Sequence, residues 1–112
     1  MEQEYEIYKQ AILTFGTNTQ LDVLIEEMSE LTQALLKLRR GKRHDPFVEQ
    51  ISTQHIKANV IEEIADVSIC LDQAIMIFAC ENEVEKVRRK KIMRLEEYID
   101  AENELKNRNH KL

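Results

Sequence analysis

The sequence predicts an all-α fold, a bundle of four to five helices in one domain over residues 1–112, and three observations carry that expectation. Helix breakers are scarce: the 112 residues include two Gly and one Pro. Charged residues make up 33% and hydrophobic ones 43%, a mixture rich in the Glu, Lys, Leu, Ile and Ala that favour long helices. Apolar residues recur every three to four positions, and no stretch alternates long enough to suggest strands.

The first helix is expected from Gln3 to Phe15, with Tyr5, Ile7, Tyr8, Ala11, Ile12 and Phe15 as its apolar residues. Gly16 ends it, followed by a turn at Thr17-Asn18. Thr19 is placed to cap the second helix, with Asp22 three residues on in a capping-box position. Leu21, Leu24, Met28, Leu31, Leu35 and Leu38 then form an a/d-type seam. Lys37, Arg39 and Arg40 suit the negative end of this helix, and Gly41 stops it.

Residues 41–54 read as a connection, with Asp45 as an N-cap and a short helix over Pro46–Ile51. The third helix is expected from His55 to Ala79. Val60, Ile61, Ile64, Val67, Leu71, Ile75 and Phe78 form one stripe, and Ile69, Cys70, Ala74 and Ile77 make the other side apolar too. A helix apolar nearly all round must be buried nearly all round. A chain of this size has too little core for that, so the expected assembly is a homo-oligomer, dimer or tetramer, with this helix at its centre. Asn82 and Glu85 signal the start of a fourth helix running to about Asn107. It carries Val84, Val87, Ile92, Leu95, Tyr98 and Ile99 among many charges, and the tail KNRNHKL is expected to fray.

Charge and length exclude several functions. A net charge of −5 does not suit a protein that coats a nucleic-acid backbone. No apolar run approaches the roughly 18 residues of a membrane span. The opening MEQEYEIYKQ lacks an apolar signal-peptide region, so a cytoplasmic setting is expected. Cys70 and Cys80 fall about 15 Å apart on one helix, too far for a bridge, and are expected as reduced thiols.

The chemistry lies in the acids. Glu26-Glu27-Met28-Ser29-Glu30 and Glu62-Glu63-Ile64-Ala65-Asp66 share the form acid-acid-x-x-acid. With 21 acids in the chain, one such pattern is what chance supplies. Two copies on consecutive long helices, each set among apolar residues, are more than that. Residues three apart share a helix face, so Glu27 pairs with Glu30 and Glu63 with Asp66. If the two helices pack along their stripes, the four carboxylates meet at one border of the seam. Carboxylates so close repel unless a cation lies between them. An all-oxygen donor set selects a hard cation, Mg²⁺ with Mn²⁺ as a substitute, over zinc.

The segment QLDVLIEEMSELTQALLKLRRG followed by NVIEEIADVSICLDQ resembles the MazG-type nucleotide pyrophosphohydrolases, which carry EExxE on one helix and ExxD on the next. The resemblance spans roughly Leu13–Leu95. It implies an all-α oligomer that hydrolyses nucleoside or deoxynucleoside triphosphates to the monophosphate and pyrophosphate. It places the metal ligands on Glu27, Glu30, Glu63 and Asp66, and matches Glu26 and Glu62 to the acids that precede them. Either of these two is a candidate general base. Lys91 and Arg94 are candidate triphosphate partners, because relatives place basic residues there. Lys37, on the strip of Glu27 and Glu30, is a third. Extending the acid strips along both helices gives Gln20, Val23, Cys70 and Ala74 as candidate base-binding residues. Two competing readings are a non-catalytic helical oligomerisation module, and a nucleic-acid binder using Arg39–His44 and Arg88–Arg94. The acidic total and the lack of a recognisable binding motif count against the second.

Overall fold

The computed structural model describes the backbone of residues 2–41 and 46–111, and the side chains of residues 2–40 and 54–110. Among the described residues there are four α-helices and no strand: α1 (Glu2–Phe15), α2 (Thr17–Gly41), α3 (Pro46–Phe78) and α4 (Glu81–Lys111). The chain divides into two compact units, Met1–Ala79 with α1 to α3, and Cys80–Leu112 with α4.

The helix boundaries differ from expectation at three points for local reasons, and at a fourth because α4 continues past Asn107 to Lys111, through the tail expected to fray. Gly16 adopts φ +94°, a backbone conformation open to glycine at little cost. Its N–H donates to the Ile12 carbonyl at 2.9 Å, and its own carbonyl accepts from Gln20 N–H at 3.1 Å. Gly16 therefore closes α1 and caps α2 at once. That leaves no turn at Thr17-Asn18 and no capping role for Thr19, which lies inside α2.

The second difference is at α3. The short helix expected over Pro46–Ile51 and the helix expected from His55 are one continuous element, so the connection does not extend to residue 54. The intervening Ser52-Thr53-Gln54 contains neither Gly nor Pro, and nothing interrupts the backbone ladder. Asp45, the expected N-cap, lies outside the described residues with Lys42, Arg43 and His44.

The third is at α4. Val84 N–H donates to the Cys80 carbonyl at 2.9 Å, so the capping position belongs to Cys80 and not to Asn82. Glu81 and Glu83 complement the positive end of the helix. Just before it, Ala79 takes φ 49°, the left-handed region that a side chain disfavours. Along α4, Arg89–Glu85 and Arg108–Glu104 pair across one turn at 3.2 and 3.1 Å. Such exposed pairs contribute about 0.3–0.5 kcal/mol each.

In the first unit α2 packs along α3, and α1 touches both. The half-buried Tyr8 of α1 marks that contact, since its hydroxyl pKa is raised by burial and by the nearby Glu4 and Asp72. α2 and α3 run antiparallel: Gln20 meets Gln73, while Glu27, farther along α2, meets the earlier Glu63. Ala34, Val60, Cys70 and Gln73 are the buried residues of this seam. Leu21, Leu24, Leu31 and Leu38 of the expected α2 stripe are half-buried, whereas Met28 and Leu35 are exposed.

On α3 the inward side is set by Val60, Glu63, Val67, Cys70, Gln73, Ala74 and Ile77. The expected stripe holds only in part, because Ile61, Ile64, Leu71 and Phe78 are exposed. A helix with apolar residues on every side gives periodicity little with which to choose its inner face. No large side chain is fully buried among the described residues.

Candidate metal centre

The site forms where the antiparallel α2 and α3 bring their acidic turns level. Glu27 faces the seam because it lies two turns after Gln20 and two turns before the buried Ala34 on one helical strip. On α3, Glu63 and Asp66 are three residues apart and share a face. One carboxylate oxygen from each of Glu27, Glu63 and Asp66 lies within 4.8 Å of the others, and all three residues are half-buried.

The electrostatics follow from that crowding. The Glu27 carboxyl is pushed up from its ordinary 4.5 to about 7. The largest cause is its hydrogen bond with Glu63, followed by burial and by the charges of Glu30, Asp66 and Glu63. Two carboxylates sharing one hydrogen bond cannot both be ionised cheaply. Glu27 Oε2 and Glu63 Oε2 are moreover buried with no hydrogen-bond partner. Such orphaned oxygens cost free energy unless something else meets them, and three carboxylate oxygens within 4.8 Å of one another suit a hard cation.

Cys70 lies on the inner face of α3, one turn past Asp66, and is buried. Its thiol pKa is raised by burial first, then by the charges of Glu27 and Asp66. Both effects favour the neutral thiol, and the three donors that converge are all carboxylate oxygens.

Of the four expected ligands, three converge. Glu30 is exposed and outside the 4.8 Å group, although its charge still acts on Glu27. Glu26 and Glu62 are exposed beside the site on their helices. Lys37 is exposed on α2, and Lys91 and Arg94 lie one turn apart on α4 in the other unit. Of the residues expected to hold a base, Val23 and Ala74 are half-buried, Cys70 is buried, and Gln20 donates its amide N–H to Gln73 Oε1.

Gln73 is the residue that sequence reasoning missed. The signal was present: it lies two turns beyond Asp66 on α3, as Gln20 lies two turns before Glu27 on α2. No family model matches the chain, no curated protein is significantly similar to it, and no solved structure matches it.

Proposed function

We propose that this chain is a Mg²⁺-dependent nucleoside triphosphate pyrophosphohydrolase, releasing pyrophosphate and the monophosphate from nucleoside or deoxynucleoside triphosphates. The observation that carries the reading is the meeting of Glu27 with Glu63 and Asp66, two of their oxygens being buried without a partner. The motif resemblance to MazG-type enzymes supplies the substrate class.

In this reading Glu27, Glu63 and Asp66 hold the cation, and Glu30 adds a fourth oxygen from the exposed border. Mg²⁺, or Mn²⁺ in its place, supplies polarisation of the phosphoryl oxygens and a bound water of lowered pKa. Glu26 or Glu62, free of the cluster, takes up the proton of the attacking water. Lys37, on the same helix as Glu27, supplies positive charge for the triphosphate, Lys91 and Arg94 being phosphate candidates through the motif resemblance alone, and Gln20, Val23, Cys70 and Ala74 line the place of the base.

The chain works as a dimer or tetramer of itself. What favours this is the first unit's surface, where Leu13, Phe15, Ile25, Ile61, Ile64 and Phe78 are exposed around a seam that fully buries no large side chain. A single unit with so little interior is short of the burial that stabilises a fold. The same feature favours a second reading, in which the chain is a helical oligomerisation module without catalysis. Among the described residues no helix is long and apolar enough to cross a membrane.

Pyrophosphate release from a panel of nucleoside and deoxynucleoside triphosphates, with Mg²⁺ and then with chelator, separates the two. Metal-dependent release supports the hydrolase. An oligomer with no release on any substrate leaves the module.

A further inference from the structure

We infer that the Gln20–Gln73 amide pair is a positioning device, which sets the register of α2 against α3 and so brings Glu27 level with Glu63 and Asp66. The inference extends the metal reading above by naming residues outside the acidic motifs on which the site depends.

α3 lacks a distinctive inner face. Its apolar residues lie nearly all round, and α2 faces it with a repeating Leu strip. A slide of one turn would exchange one set of apolar contacts for a similar one, because burial of apolar surface is non-directional. Apolar packing alone therefore leaves the register weakly specified.

The amide pair does not permit that exchange. Gln73 is only 7% exposed, and its Oε1 accepts the Gln20 amide across the seam. One turn before Gln20 on its strip lie Gly16 and Thr17, and one turn after it Val23 and Leu24; of these only Thr17 has a side-chain donor, a hydroxyl of shorter reach than an amide. A one-turn slide that brings Val23 or Leu24 opposite Gln73 would leave a buried amide without its partner, and the opposite slide would offer it only the shorter hydroxyl of Thr17. The desolvation cost of such a group favours the observed register by on the order of ten- to a hundredfold in population. Polar pairs within apolar helix seams are known to select register at little benefit to stability.

The link to the acids is geometric. Gln20 and Glu27 are seven residues apart on one strip of α2, and Asp66 and Gln73 are seven apart on one strip of α3. The amide layer and the acid layer are thus both about 10 Å apart on each helix. Fixing one layer fixes the other. Once the proton shared by Glu27 and Glu63 is lost, repulsion among the acids opposes their meeting, and the amide layer is the contact that then holds the acids level.

The test is the full chain carrying Gln20→Leu and Gln73→Leu together, which removes both amides and leaves neither unpaired. Helical signal and melting temperature should be kept or raised, while Mn²⁺ affinity, read by titration calorimetry, falls at least tenfold. Amide resonances of α2 and α3 should double, broaden or move. Gln73→Glu keeps an acceptor for the Gln20 amide and should retain the wild-type resonance pattern.

Wild-type Mn²⁺ affinity in the double-leucine protein overturns the inference. So does loss of its folded state, which would make the pair a source of stability and not of register. A wild-type chain that binds no Mn²⁺ ends the metal reading instead. The register claim is then decided by the resonances, and an undisturbed single set in the double-leucine protein overturns it.

Discussion

Glu27 of α2 and Glu63 of α3 hydrogen-bond to each other, yet each keeps one oxygen buried with nothing to meet it. The contact is a conflict held in place by packing. Its consequences reach stability, pH response and metal affinity together.

The first consequence concerns pH. The Glu27 carboxyl titrates near 7 in the folded chain against an ordinary 4.5. Between those values the folded state binds more protons than the unfolded one, so stability from this group is full below about pH 4.5 and is lost as pH rises through about 7. Melting temperature should fall between pH 5.5 and pH 8, and Glu27→Gln should flatten that slope. Metal binding must displace the shared proton, so Mn²⁺ affinity should rise over the same interval. Calorimetry in buffers of different ionisation enthalpy would count the proton released. An identical slope in wild type and Glu27→Gln would contradict the assignment.

Removing an acid should separate stability from function. Glu63→Gln abolishes one charge of the pair and should raise the melting point at pH 8, by about 1 kcal/mol of stability. Asp66→Ala should lower Mn²⁺ affinity by at least about a hundredfold, since even groups that only orient a ligand are worth ten- to a hundredfold. Glu30→Ala should cost less, about tenfold, because Glu30 is exposed and outside the group of three. Pyrophosphate release should follow the same order, with helical content unchanged by circular dichroism.

The two positive-φ residues predict opposite outcomes. An added Cβ at Gly16 meets nothing within 4 Å, so only its backbone at φ +94° resists a side chain. Gly16→Ala should destabilise by about 1–2 kcal/mol. Ala79 already carries that strain at φ 49°, and Ala79→Gly should stabilise by about 0.5–1 kcal/mol once the greater freedom of unfolded glycine is set against it. Urea titration of both variants checks the pair of signs.

Assembly is tested on the exposed face of α3. Ile61 and Ile64 are 59% and 52% exposed. The chain should sediment as a dimer or tetramer, and Ile61→Lys with Ile64→Lys should reduce its mass and its melting point together. If both isoleucines are simply solvated, the change should cost no more than about 0.5 kcal/mol each and leave the mass as it was.

The all-α class and the acidic motifs were legible in the sequence because both depend on local information: spacing, breakers and residue type. The convergence of Glu27, Glu63 and Asp66 followed from two such motifs on neighbouring helices. Glu30 was harder to place. Three-residue spacing puts it on the side of Glu27 but not at the same depth, and the rotation of α2 leaves it exposed. The inner face of α3 was illegible for a related reason, since Ile61 and Ile64 are as apolar as Val60 and Val67. Gln73 escaped notice because a glutamine on a helix carries no sign of burial until its partner on the other helix is known. The helix starts at Thr17 and Pro46 turned on local details: a glycine that caps as well as terminates, and three polar residues that do not break a helix.

The sulfur of Cys70 gives the site a chemical temperament. Burial first, and the charges of Glu27 and Asp66 after it, keep the proton on this thiol, and without the thiolate it is slow towards alkylating agents and peroxides alike. Burial and the acids together thereby keep the Cys70 sulfur dormant beside the three carboxylates.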